Sequence, residues 1–367
     1  MKIKKLLLIC MVLIMTGCSF FHREHTLGNK PLVIPTHAGY AKNDGDRRIT
    51  IFNLDNNEIV GNVSYIYKDE FMAEGDFYVD NDGKIYITMQ LTGMNSVGHT
   101  IRIIDPSTGL EEGEIDVNTA PNKMFDLGNN RILVTSNMIL YGDSVVRNVV
   151  VDLNQRKVVG NLYTKGLIND FQRSGDDTFD IMIYGLGSLG VLKDDKEYMA
   201  RYCPASDSVI SEYREIDNEG IGEPCNFIIS NGYYYIYTCR NISLYNMNTL
   251  KRESIITTFP STHGIAKMIK VNDKIYIAWS RSHYNGNDVD SVIVIDDNTH
   301  QVIKEIRIPY GGPSDIKYST YKNRIYITNS YGETIVEVNP ETDLVTDTIR
   351  TEDESQGDGF NDLRIRE

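Results

Sequence analysis

The chain is 367 residues long, with 51 acidic against 37 basic side chains, a formal charge of −14 at neutral pH and 41% apolar residues. A chain this acidic repels phosphate backbones and anionic headgroups, which excludes nucleic acid as a partner. Its five cysteines are too few for a disulfide framework at this length.

Taken in chain order, the first segment reads as a targeting signal. Lys2, Lys4 and Lys5 precede an unbroken apolar run from Leu6 to Met15, which is closed by Thr16-Gly17-Cys18. As a helix such a run spans about 15 Å, half the thickness of a bilayer core, so it reads as a signal-peptide core and not as a transmembrane anchor. Its end resembles the lipobox of bacterial lipoproteins, with Met15 where that family usually carries leucine. The resemblance implies a diacylated, palmitate-bearing Cys18 and attachment to a membrane of the cell envelope, facing the extracytoplasmic side. A plain secretory signal with an incidental cysteine is the alternative. Residues 1–17 are thus expected to be a signal peptide, and residues 18–32, with His22, Arg23, His25, Gly28 and Pro31, a tether.

From residue 33 to 367 one pattern repeats. A short β-rich phrase recurs as Lys84-Ile-Tyr-Ile-Thr88, Arg131-Ile-Leu-Val-Thr135, Asp180-Ile-Met-Ile-Tyr184, Tyr234-Tyr-Ile-Tyr-Thr238, Lys274-Ile-Tyr-Ile-Ala278 and Arg324-Ile-Tyr-Ile-Thr328. Each is followed by a loop and then by a strand–turn–strand phrase whose turn is rich in Asp, Asn, Thr and Pro. Seven such hairpins run from Ile49–Leu54 with Glu58–Val63 to Thr334–Val338 with Leu344–Ile349; the fourth pairs Tyr198–Tyr202 with Val209–Ile216. From Asp55 to Asn339 the turn marker recurs about every 47 residues, near the range of propeller blades. Apolar and polar residues alternate with period two, Val, Ile, Tyr and Thr dominate, and no helical periodicity follows the signal. The expectation is an all-β, seven-bladed β-propeller forming one domain over 33–367.

Each blade should open with a polar–apolar pair on its innermost strand: Asp76-Phe77, Lys123-Met124, Asp170-Phe171, Asn226-Phe227, Lys267-Met268 and Asp315-Ile316. The seventh pair, Asp362-Leu363, lies at the far end of the chain. The C-terminal strand is therefore expected to complete the first blade, for which the N-terminus supplies only three strands.

The phrases Pro313-Ser-Asp-Ile-Lys-Tyr318, Asn323-Arg-Ile-Tyr-Ile-Thr-Asn329 and Glu333-Thr-Ile-Val-Glu-Val-Asn-Pro-Glu-Thr342 resemble YVTN-type propeller repeats of bacterial and archaeal secreted and surface proteins. The resemblance covers roughly residues 35–366, with most blades degenerate. Its motif builds strands and turns and carries no catalytic group, and propellers serve as lactonases, lyases, dehydrogenase subunits and binding modules alike.

Candidate sites follow from the ring. Asp76, Lys123, Asp170, Asn226, Lys267, Asp315 and Asp362 should converge on the central channel, as ligand-binding groups or as the polar lining of a wet mouth. His37, His99, His263 and His283 fall on loops predicted for the same face, and His283 is followed by Asp288 and Asp290. His263 and His283, with carboxylates near, could hold a divalent metal, or be ordinary surface histidines. Cys225 and Cys239 flank the Asn231-Gly232 turn and are candidates for a cross-strand disulfide, which a slip of one residue would forbid; Cys203 is left as an odd thiol. Gly185-Leu-Gly-Ser-Leu-Gly190 matches a dinucleotide fingerprint but lacks a parallel βαβ unit, and Asp80-Asn-Asp-Gly83 reads as a hairpin turn and not as a calcium loop. No nucleophile elbow is present.

These readings point to a membrane-anchored extracytoplasmic binding or scaffold protein that uses the loop-rich propeller face, without catalytic residues or cofactor. It would be a monomer that takes a protein or small-molecule ligand. The alternative is an extracytoplasmic, lactonase-like hydrolase or lyase at the channel mouth, where a divalent cation on His263 and His283 would enter. A structural role in the envelope is suggested by the resemblance alone.

Overall fold

The middle strands of the blades are buried on both faces, so each sheet needs a neighbour on either side, and a ring of sheets meets that need. The computed structural model describes residues 32–37, 47–65, 72–92, 97–136, 139–140, 145–185, 196–206, 208–217, 224–238, 241–259, 265–280, 291–309, 312–329, 334–350 and 360–367. The expected signal peptide, Cys18, and His263 and His283 lie outside these residues. The described strands form seven antiparallel sheets, the blades of a β-propeller. Blade 7 shows the plan, from axis to rim: Pro313–Ser319, Arg324–Asn329, Thr334–Asn339 and Leu344–Arg350. Among the described residues no helix is long and apolar enough to cross a membrane.

The core is divided among the gaps between blades. In the second strand of blade 7, Ile325 and Ile327 pack with Val271, Tyr276 and Val292 of blade 6, while Tyr326 packs with Val33, Phe52 and Leu363 of blade 1. Blade 2 repeats the arrangement, with Ile85 and Ile87 against blade 1 and Tyr86 against blade 3. The period-two alternation of Ile and Tyr thus addresses two different neighbours, not core and solvent.

The tyrosine hydroxyls meet acidic groups at the turn end of the blades. Tyr276 donates to Asp343 Oδ1 of blade 7 (2.5 Å) and Tyr234 to Asp180 Oδ2 of blade 4 (2.5 Å). Tyr235 donates to Asp297 Oδ1 of blade 6 (2.9 Å). Burial, together with the adjacent carboxylate, raises the pKa of all three phenols well above the ordinary value. The turns themselves follow their residues. Asn231 and Gly232 both take positive φ (51° and 83°), as a two-residue hairpin turn requires. At the other predicted turn Asp80 Oδ1 accepts from Lys84 N (2.9 Å) and its Oδ2 from Tyr86 Oη (2.9 Å), so this aspartate caps a turn.

The ring closes as the sequence predicts. Phe360–Arg366 is the innermost strand of blade 1 and pairs antiparallel with Leu32–His37, matching Leu32 with Arg366 and Pro35 with Leu363. It is also tied to both neighbours. Ser314 Oγ of blade 7 donates to Phe360 O (2.5 Å), and Arg366 Nη1 donates to Asp82 O of blade 2 (3.2 Å).

Two expectations need correction. The outer strand expected at Val209–Ile216 is two short pieces, Ser208–Val209 and Arg214–Glu215. Ser211 Oγ accepts from Arg201 N (2.7 Å), so a side chain stands where a continuous ladder would place a backbone acceptor. His37 and His99 are not on loops: they lie in the strands Leu32–His37 and Val97–Asp105. His99 Nδ1 is 3.1 Å from Asp116 Oδ1, an exposed pair on blade 2.

Candidate functional site: the axial cavity

The site is built from the opening pairs of the innermost strands. In blades 2, 3 and 7 the threonine that ends the recurrent phrase accepts from the backbone N–H of the polar residue: Thr88 from Asp76 (2.8 Å), Thr135 from Lys123 (3.0 Å) and Thr328 from Asp315 (3.1 Å). The strand register shifts at these points in blades 2 and 7. A bulge of this kind re-aims the side chain that follows it.

The aspartates then bond backbone across the gap to the next blade. Asp76 Oδ1 accepts from Phe77 N (2.8 Å) and its Oδ2 from Met124 N of blade 3 (2.8 Å). Asp170 does the same with Phe171 N and Phe227 N of blade 5 (both 2.8 Å). Asp315 accepts from Ile316 N (2.8 Å) and from Leu363 N of blade 1 (2.9 Å). Lys123 makes the same crossing with opposite polarity, its Nζ donating to Asn169 O of blade 4 (2.6 Å). These polar groups therefore join blades 2 to 3, 3 to 4, 4 to 5 and 7 to 1 at the axis by satisfying N–H and C=O groups on the unpaired edges of their innermost strands.

A cavity of about 450 Å³ lies on the axis, lined by Asp76, Lys123, Asp170, Asn226 and Lys267 among others. Five of the seven predicted ring residues are thus brought together. Asp315 sits behind the wall, 0% exposed, and the side chain of Asp362 lies outside the described residues. Sequence reasoning missed the next tier, two residues further along the same strands and on the same face: Tyr78, Phe125, Gln172, Lys317 and Arg364. The period-two rule applied to the opening pairs would have found them.

The electrostatics of the cavity follow from its burial. Desolvation raises the pKa of Asp170 above the usual carboxylate range, against the pull of Phe227 N–H and of Lys123. At Asp315 burial pushes the same way, but Lys317, Lys267 and Arg364 outweigh it and hold the carboxyl below its ordinary value. Lys317 is depressed by burial and by repulsion from Arg364 and Lys267, with Asp315 opposing. Arg364 Nη2 donates to Asp76 Oδ1 (2.7 Å), and its guanidinium lies over the Phe77 ring, 4.8 Å from the centroid.

The remaining candidates are placed less completely. Among the described residues no group of three or more His, Cys, Asp or Glu could hold a metal ion. Cys225 is half-buried in the innermost strand Pro224–Ser230, at a register shift, and Cys239 lies outside the described residues. Cys203 is half-buried with a free thiol. Gly185 ends the strand Phe179–Gly185, and the rest of its glycine-rich loop is outside the described residues.

This is a seven-bladed β-propeller with a polar axial cavity. Neither the protein-family models nor the curated proteins give a match to the chain. Solved structures do, at low identity. The periplasmic gluconolactonase PpgL of Pseudomonas aeruginosa is 10% identical, with a TM-score of 0.60 over 92% of this chain and 99% of its own. A candidate 6-phosphogluconolactonase of Bacteroides uniformis is 12% identical, with a TM-score of 0.60 over 92% of this chain and 100% of its own. The dihydro-heme d1 dehydrogenase NirN is 12% identical, with a TM-score of 0.52, and this chain spans 64% of its length. At these identities the likeness is one of fold.

Proposed function

We propose that this protein is an extracytoplasmic binding propeller, held at a membrane by lipid on Cys18, that captures a ligand in its axial cavity. The observation that carries the reading is how the axial carboxylates are used. Asp76, Asp170 and Asp315 each bond two backbone N–H groups, one of them on the next blade. A carboxylate bonded in this way holds a wall in place and is a poor proton shuttle. The walls enclose a volume suited to a small molecule.

The test is native mass spectrometry of the full-length protein extracted from its own membranes, against Gln172→Trp, which fills the cavity from one wall. A small molecule carried by the wild type and lost from a folded Gln172→Trp protein supports the reading. Equal loads, or an empty wild type, overturn it. Cys18→Ser should move the protein from the membrane to the soluble fraction, and continued membrane retention would overturn the anchor.

A second reading, an extracytoplasmic lactonase-like enzyme, is supported by the likeness to PpgL and to the Bacteroides uniformis protein. It predicts turnover of gluconolactone that depends on His263 and His283 and on a divalent cation. Absence of turnover with added zinc, manganese or calcium would remove it.

A further inference from the structure

The axial cavity is asymmetric. On blades 6, 7 and 1 its wall carries Lys267, Lys317 and Arg364, whereas on blades 2 to 4 it carries the rings of Tyr78, Phe125 and Phe171 together with Lys123 and the carboxylates Asp76, Asp126 and Asp170. Phe125 and Phe171 stack at 5.1 Å, and Phe171 in turn stacks on Phe179 at 4.5 Å, so the half-buried Phe125 fronts an aromatic stack on that side.

The cationic side concentrates positive charge within an acidic protein. Its buried counter-charge, Asp315, accepts from two peptide N–H groups and is shared by Lys317 (3.2 Å) and Arg364 (3.7 Å). Arg364 has further partners in Asp76 and in Leu363 O. Lys317 differs. Its ammonium has three N–H donors, Asp315 is its hydrogen-bond partner, and its side chain is 34% exposed towards the cavity it lines. Burial, and after it the nearby Arg364 and Lys267, disfavour that ammonium, with Asp315 opposing them. An anion placed beside it would meet Lys317 directly, with Lys267 and Arg364 adding favourable charge nearby, in a partly desolvated site where such a contact is strong.

We infer that the axial cavity binds a small organic carboxylate, its carboxylate on Lys317 beside Lys267 and Arg364 and its apolar body against Phe125 and Tyr78. This rests on the proposal that the cavity is the ligand site, and it names the chemistry of the ligand. Two halves of one molecule are specified: the charged arc reads the anion, and the aromatic wall reads the body.

The experiment is calorimetric titration of the full-length protein with benzoate, its neutral isostere benzamide, and inorganic phosphate. Benzoate is expected to bind at least about tenfold more tightly than benzamide, a difference of about 1.4 kcal/mol. Lys317→Met should weaken benzoate about tenfold or more and Lys317→Arg should restore most of the affinity; Lys317→Arg should melt as the wild type does, and Lys317→Met, which takes a cation from buried Asp315, should melt lower but stay folded at the titration temperature. Phe125→Ala should weaken benzoate more than phosphate. The inference is overturned if benzamide matches benzoate, if a folded Lys317→Met protein binds benzoate unchanged, if phosphate binds and benzoate does not, or if none of the three binds. A neutral compound retained from the native membrane and lost in Gln172→Trp would overturn the anion chemistry while leaving the cavity as the binding site.

Discussion

Two sets of aspartates hold this ring together in different ways. At the axis, Asp76, Asp170 and Asp315 accept from peptide N–H groups of the neighbouring blade. At the turn end, Asp180, Asp297 and Asp343 accept from tyrosine hydroxyls of a neighbouring blade and pair with Arg201, Lys270 and Lys274. The axial set has backbone partners that no substitution can remove, so losing the aspartate leaves buried N–H groups without acceptors. The turn set has side-chain partners, so either end can be removed, and removing the tyrosine still leaves a basic partner on each carboxylate. The axis should therefore be the less tolerant of the two regions.

The largest effect should come from the strand that serves both regions. Deleting residues 360–367 removes the inner edge of blade 1, the acceptor O of Phe360 and the N–H of Leu363 bonded to Asp315. It should cost more than about 5 kcal/mol, a large share of a domain's usual stability. Thermal melting of the truncated protein checks this, and an unchanged melt would break the closure argument.

Next comes Asp315→Ala, which leaves the N–H groups of Ile316 and Leu363 without their acceptor and the Lys317 and Arg364 cations less compensated. We expect a loss of about 3 kcal/mol in denaturant unfolding, and roughly half that for Asp315→Asn, which keeps one acceptor oxygen. At the turn end, Tyr276→Phe removes one donor to Asp343 but leaves Lys274 Nζ at 2.7 Å, and should cost about 1 kcal/mol. If Tyr276→Phe proves more damaging than Asp315→Ala, the ranking of axis over turn fails.

The pH dependence sharpens the same contrast. Asp315 has a depressed folded-state value, so its contribution is fully present above the ordinary carboxylate value and disappears as pH falls through the depressed one. Melting temperature should therefore drop on the acid side less steeply in Asp315→Asn than in the wild type. The smallest effect belongs to the exposed His99–Asp116 pair, where His99→Ala should change stability by less than about 0.5 kcal/mol.

Much of this was legible in the residues. The six recurrent phrases and seven hairpins are local patterns, and Asp362-Leu363 stood out because it repeats the opening pair of every other blade. The turn at Asn231-Gly232 was readable because positive φ restricts the residue types that adopt it. The broken outer strand of blade 4 was not, since Ser211 in place of a ladder acceptor is a tertiary event with no local mark. The ring was read as a lining, and its role in joining blades was missed, because the partners of Asp76, Asp170 and Asp315 are peptide groups and a sequence displays only side chains.

By itself, then, the sequence determined the blade count, the order of strands and the polar–apolar pairs that open the innermost strands. All of these follow from patterns that recur once per blade or more often, which are written along the chain. The tertiary structure alone decided which polar groups at the axis bond to backbone and which face the cavity. It set Lys317 and Arg364 beside Lys267 on one side and Phe125 beside Phe171 on the other. Those neighbours come from different blades, and only closure of the ring brings them within reach of one another.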